Sequence, residues 1–308
     1  MIHWEKSGCL FKAEGQEPWM ISHTATPLPV MLDEERVRVY FAARSERNNP
    51  RPGYVEFNLI HFKGIEAISP QPLVDNGPLA FFDYNGIYPG CIIKRGKEWW
   101  MYYSGRVNGD NNAYHVSVGL AISDDEGKTF KKYSESPVHQ KNVHDPWLVS
   151  TPHVIPYGEG WRMYYLSGRK ATMEKDVFTS YYDIRSALSN DGITWTAENK
   201  VHLGLTDEIT NLACPSIVKV KEKYWMFFSF CSIDTGQYRL GVAYSYDLDN
   251  WTQIFNCFNS VNDEEWDDIS RAYPYVLVLG NYLYVFYCGN NFGKGGFGYL
   301  KAPIADFK

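Results

Sequence analysis

Apolar and polar positions repeat along this chain with a long, regular period. Five prolines, Pro27, Pro89, Pro152, Pro215 and Pro274, each open an apolar strand, at intervals of 62, 63, 63 and 59 residues. Behind each comes a segment dense in aromatic residues: VRVYFAAR, WWMYYSGR, WRMYYLSGR, YWMFFSF and YLYVFYCGN. The centres of these segments, Val39, Met101, Met163, Met226 and Val285, keep nearly the same interval. A third landmark follows in three repeats. GLAISDDEGKTF (Gly119 to Phe130), IRSALSNDGITW (Ile184 to Trp195) and LGVAYSYDLDNW (Leu240 to Trp251) each read as a strand, a polar turn and an aromatic residue opening another strand. Alternation bounded by Asp, Gly and Asn turns is the signature of a hairpin.

Fixed self-similarity at this length, in a chain made of strands, predicts propeller blades. The expected fold is all-β: a five-bladed β-propeller of four-stranded antiparallel blades, forming one domain over residues 1–308. The last repeat lacks its fourth strand after FGYLKAP, and the missing piece resembles the other end of the chain. His3-Trp4-Glu5-Lys6, followed by Cys9-Leu10-Phe11, is similar to the segments that begin at Trp195 and Trp251. This N-terminal strand is therefore expected to pair near Phe297–Leu300 and close the last blade, removing two sheet edges.

Composition narrows the function classes. The 308 residues are 44% hydrophobic and 16% aromatic, and no Pro/Gly/Ser-rich run or block of like charge interrupts the period. A net charge of −6 argues against nucleic-acid binding. No stretch approaches 18 apolar residues, and MIHWEKSG has no signal-peptide core, so no membrane association and a cytoplasmic location are expected. The six cysteines show no CxxC spacing and read as reduced thiols. Eight histidines form no close pair, so neither a metal nor another cofactor is expected.

In a propeller the first strand of each blade lines the central channel. An acid lies six or seven residues before the strand-opening proline in four repeats: Asp83, Asp145, Glu208 and the pair Asp267-Asp268. Acids converging on one funnel are what glycosidic cleavage needs, one protonated as acid and one ionised as base or nucleophile. Asp83 and Glu208 are the expected working pair, with Asp145 and Asp268 as further catalytic candidates and Asp267 as a binding residue. The alternative is that each acid ties down its own loop through an Asx-turn. Blade one offers only His23. At the exits of the aromatic strands stand Arg44, Arg106 and Arg169, with Asn290 in the last repeat. Guanidiniums in register can fork onto anionic oxygens, or pair with rim acids. Tyr88, Tyr273 and His153 are candidates to contact sugar. Ser123 to Phe130 fits an Asp-box, a structural turn on an outer hairpin.

The segments FDYNGIYPGCIIKRGKEWWMYYSG, GLAISDDEGKTF, SALSNDGITW and FYCGNNFGKGGFGY resemble a broad group of five-bladed propeller proteins that includes glycoside hydrolase families 32, 43, 62, 68 and 130. The resemblance spans nearly the whole chain and implies a carbohydrate-active protein, with members often found beside surface-polysaccharide genes. Family 43 enzymes place an Asp directly before the first-blade proline and a Glu two before the third-blade proline. This chain has Thr26 and Ser150 there, and the paired motifs of family 32 are absent. The leading expectation is a glycosidase acting on an oligosaccharide or glycoconjugate. A glycosyltransferase or phosphorylase, or a non-catalytic glycan-binding propeller, are the alternatives.

Overall fold

The structure is a computed structural model that describes residues 2–110, 113–174, 177–254 and 257–308. Its strands are, in chain order, β1 (Glu5–Lys6), β2 (Ser22–Met31), β3 (Arg36–Arg44), β4 (Pro50–Asn58), β5 (Ala67–Ile68), β6 (Gly86–Arg95), β7 (Glu98–Asn108), β8 (Tyr114–Ser123), β9 (Lys131–Lys132) and β10 (Val149–Tyr157). They continue with β11 (Gly160–Glu174), β12 (Val177–Ser189), β13 (Thr196–Leu203), β14 (Ile209–Val220), β15 (Lys223–Ser232), β16 (Tyr238–Ser245), β17 (Thr252–Ile254), β18 (Ala272–Leu279), β19 (Tyr282–Cys288) and β20 (Phe297–Pro303).

The fold is all-β, with antiparallel four-stranded sheets of propeller type. Two sheets have the orders β2-β3-β4-β5 and β6-β7-β8-β9. Strands β10–β13 and β14–β17 make two further antiparallel groups, joined into one sheet by a single parallel bridge between Tyr182 and Asn211. The last sheet runs β1-β20-β19-β18. The N-terminal strand therefore pairs where the sequence predicts: Glu5 lies opposite Lys301, Lys6 opposite Leu300, and Phe11 bridges Phe297. The inner strands close a ring, β2 against β6, β6 against β10, β10 against β14, β14 against β18, and β18 back against β2.

The aromatic strands supply the packing between sheets. Val39, Met101, Met163, Met226 and Val285, the centres of the repeat, are all fully buried. The residue after the centre is a tyrosine in three sheets, and each hydroxyl reaches into the next sheet's polar turn. Tyr40 donates to the Gly127 carbonyl at 3.0 Å, Tyr102 to Gly192 at 2.8 Å, and Tyr164 to Leu248 at 2.5 Å. Those turns are built by Ser123 and Asp125, Ser189 and Asp191, and Ser245 and Asp247, each serine donating to its aspartate. The Asp-box is thus an outer structural device that presents a carbonyl to its neighbour.

Each strand-opening proline sits in a β-bulge. The pairing register shifts between Ala25 and Leu28, Pro89 and Cys91, Ser150 and His153, Ala213 and Ser216, and Ala272 and Tyr275. In four of these the residue before the proline has positive φ: Thr26 at 54°, Thr151 at 50°, Cys214 at 51° and Tyr273 at 57°. A bulge leaves one residue out of the ladder and re-aims its side chain. Left-handed backbone at non-glycine residues costs of order 1–3 kcal/mol each, and such strain clusters at functional positions. Here the four strained residues, Thr26, Thr151, Cys214 and Tyr273, come together around one small void between the inner strands.

Candidate functional site

The bulges frame a cavity of about 590 Å³ on the axis of the ring. Its wall draws on the inner strands through Thr26, Tyr88, Ser150, Thr151, Asn211 and Tyr273. Tyr114, Phe178, Tyr182, Tyr238 and Phe292 add aromatic faces, and Val116, Leu148 and Leu166 an apolar flank. Arg44 and Arg106 bring the charge. Below it, Pro89, Pro215 and Pro274 with Cys214 surround a void of only about 20 Å³, so the prolines form the floor. No aspartate or glutamate lines the main cavity among the described residues.

The acids in register are elsewhere, and for three of them the reason is one repeated bond. Asp83 accepts from the Tyr103 hydroxyl at 3.0 Å, Asp145 from Tyr165 at 2.8 Å, and Asp267 from Tyr287 at 2.7 Å. All three carboxylates are essentially inaccessible to solvent. Asp83 also meets Lys132 Nζ at 2.7 Å and accepts from the Gly77 N–H at 3.1 Å. Gly77 is required there, because a Cβ would come within 2.2 Å of the Asp83 oxygen. Asp145 accepts from Asn142 Nδ2 at 2.7 Å. Asp267 is held by Lys6 Nζ at 2.7 Å and Arg271 Nε at 2.9 Å. Burial pushes the Asp267 carboxyl up, and its bonds to Lys6 and Tyr287 outweigh that and hold it low. These aspartates anchor the loops that enter the inner strands.

The expected convergence of Asp83, Asp145, Glu208 and Asp268 on the funnel is corrected accordingly. Glu208 is exposed and lines a second cavity with Arg239, Asp263 and Arg271, so it is not brought together with Asp83. Asp268 is also exposed, and accepts from Asn290 Nδ2 at 2.7 Å. Asn290 spends its carbonyl oxygen on the N–H groups of Ile269 and Ser270, both at 2.9 Å, and is a loop clamp rather than a cavity residue. His153 is buried between inner strands, accepting from the Ile217 N–H at 3.0 Å and packing edge-on to Tyr275. Arg169 is locked to the His144 carbonyl at 2.6 Å and lies 3.7 Å from Asp183. His23 stays outside the lining, bonded to Ser22 Oγ, with burial, Arg44 and Lys294 lowering its pKa to about 4.

Of the candidates, Arg44, Arg106, Tyr88 and Tyr273 do meet in the cavity. Two buried polar atoms of residues that line it, Arg44 Nε and Thr26 Oγ1, lack hydrogen-bond partners among the described residues. Thr151 and Asn211 were missed by reasoning from acids. The signal that finds Thr26, Thr151 and Tyr273 is their position directly before a strand-opening proline; Asn211, four residues before Pro215, carries no such mark.

The sequence family described as the glycosyl hydrolases family 32 N-terminal domain matches residues 72–275. The chain belongs to that family. Two uncharacterized proteins of Mycobacterium tuberculosis, from strains H37Rv and CDC 1551, are each 30% identical to it over 297 residues, covering 96% of this chain and 97% of each relative. Among solved structures, one described as a glycoside hydrolase superposes with a TM-score of 0.73 at 17% identity, over 96% of this chain and 90% of that one. The Bombyx mori family 32 beta-fructofuranosidase gives 0.60 at 15% identity, over 90% of this chain and 60% of its own. At those identities the likeness is one of fold. Family membership places the chain among carbohydrate-active, glycoside hydrolase-like proteins.

Proposed function

We propose that this chain is a single five-bladed propeller that takes an oligosaccharide or glycoconjugate into its axial cavity and recognises it without a pair of catalytic carboxylates. The closed ring of inner strands supports the blade count, and family membership supports the ligand class. The observation that carries the reading is the set of pre-proline positions. They hold Thr26, Tyr88, Thr151, Cys214 and Tyr273, two hydroxyls, two phenols and a thiol, and the cavity above them has no described carboxylate. Two-carboxylate hydrolysis needs an acid and a base or nucleophile on either side of one glycosidic bond. Aromatic faces with a few placed polar groups are what a small-molecule site offers for binding.

Hydrolysis remains the second reading, and family membership is what favours it. One experiment separates them. The protein is incubated with a panel of neutral and acidic oligosaccharides, and binding is followed by calorimetry while released sugar is measured in parallel. Binding that is lost in Tyr88→Ala, with no product, supports recognition. Product release that survives Tyr88→Ala but disappears in Glu208→Gln moves the function to the second cavity and overturns the proposal.

A further inference from the structure

Arg44 and Arg106 stand at equivalent ends of β3 and β7, and both line the axial cavity. Neither makes an ion pair among the described residues. Each is steadied by a neutral amide instead: Arg44 Nη1 donates to Asn48 Oδ1 at 3.1 Å, and Arg106 Nε to Asn108 Oδ1 at 2.9 Å. The Arg106 guanidinium also stacks over Tyr114, 4.8 Å from the ring centroid. An asparagine fixes a guanidinium's direction without cancelling its charge. The contrast is Arg169, whose position in the repeat is similar but which lies beside Asp183 and stays off the wall.

Two uncompensated positive charges therefore share a cavity with no described carboxylate, in a chain of net charge −6. Arg44 Nε is buried without a partner, so one donor of its fork is already stripped of water and unspent. A buried donor without an acceptor is costly, so the side chain gains by turning that donor toward an acceptor in the cavity, and an anionic oxygen repays it most. The neighbourhood of Arg44 is positive enough to help keep His23 neutral, after burial.

We propose that Arg44 and Arg106 form an anion clamp, and that the glycan taken by the cavity carries an anionic substituent: a uronate carboxylate, a sulfate or a phosphate. This rests on the axial cavity being the glycan site. Tyr114, Phe178 and Tyr182 would pack the sugar face while the clamp fixes the charged end.

The test compares glucose, glucuronate, glucose 6-sulfate and glucose 6-phosphate by calorimetry at low ionic strength, on wild type and variants. The anionic sugars should bind at least about tenfold more tightly than glucose, the scale of one charge-assisted hydrogen bond. Arg44→Gln and Arg106→Gln should each erase most of that preference, and Arg44→Lys should retain part of it. Arg47→Gln, an exposed arginine on the loop after β3, should leave it intact, and melting curves of all variants establish that they fold. The preferred sugar among the three identifies the anion. Equal affinity for glucose and the anionic sugars overturns the clamp while leaving the axial site standing. Binding that ignores both the clamp variants and Tyr88→Ala overturns the axial site as well.

Discussion

Asp83 accepts a hydrogen bond from Tyr103, twenty residues further along the chain, and the same spacing recurs in Asp145–Tyr165 and Asp267–Tyr287. Where a repeat lacks the buried aspartate it lacks the phenol too, since Phe41 and Phe228 stand in the tyrosine's place. Acid and hydroxyl belong together as one latch between the loop entering a sheet and the sheet's aromatic strand.

The latch predicts a stability phenotype for the aspartates. Asp83→Asn leaves Lys132 nearly buried and unpaired, which should cost about 3–5 kcal/mol in denaturant unfolding. Tyr103→Phe removes one bond to a charged acceptor and should cost about 1.5–3 kcal/mol. Glycan affinity of the folded fraction should be unchanged in both. An Asp83→Asn protein of wild-type stability would return Asp83 to the list of functional residues.

Closure by the N-terminal strand is also measurable. Trp4 stacks on Phe258 with centroids 5.1 Å apart, its Nε1 donates to the Cys257 carbonyl at 2.9 Å, and Lys6 holds Asp267. Removing residues 1–12 exposes a sheet edge and strips all of these contacts. The truncated chain should melt far below the full one or aggregate; an unchanged melting temperature would refute the closure. Lys6→Ala alone should cost about 1.5–3 kcal/mol.

The tyrosines that reach the neighbouring turns should act independently, because they join different pairs of sheets. Tyr40→Phe and Tyr102→Phe should each cost about 1 kcal/mol. Their double variant should come close to the sum, as distant sites do. A large coupling between them in a double-mutant cycle would show that the sheets do not unfold as separable contacts.

Stability should fall as the solution is acidified below neutrality. Burial lowers the pKa of His153 and His202 to about 4, against about 6.5 for the exposed side chain. Between those values the unfolded chain binds protons that the folded chain refuses. Their neutral forms are therefore fully compatible with folding above about pH 6.5, and each contributes a loss as pH drops toward 4. Melting temperature measured from pH 7.5 to 4.5 should decline along that range, and His153→Gln should flatten the slope. Asp191, whose pKa falls to about 2 through the Thr194 and Ile193 N–H groups, acts lower. Its contribution is present above about pH 4 and disappears as pH falls through 2.

The period of proline and aromatic strands was legible in the sequence because strand pairing and burial impose it locally: a buried pleat demands apolar residues, and a turn demands Ser, Asp and Gly. The closing role of Trp4 to Phe11 was legible for the same reason, as a fourth-strand pattern out of place. What the sequence alone could not determine was where the repeated acids point. Asp83, Asp145 and Asp267 show the spacing that axial acids would show, and only the tertiary structure brings Tyr103, Tyr165 and Tyr287 onto them across the sheet. Spacing sets Arg169 apart by one residue, six after Met163 against five for Arg44 after Val39 and Arg106 after Met101, but it could not show that Arg169 is held beside Asp183 while Arg44 and Arg106 line the cavity without a counter-charge. Those outcomes depend on partners distant in sequence and, at Arg169, on a bulge between Gly168 and Lys170 that leaves it out of the ladder. Register sets which residues are equivalent; packing decides which of the equivalents is spent on the fold and which is left for a ligand.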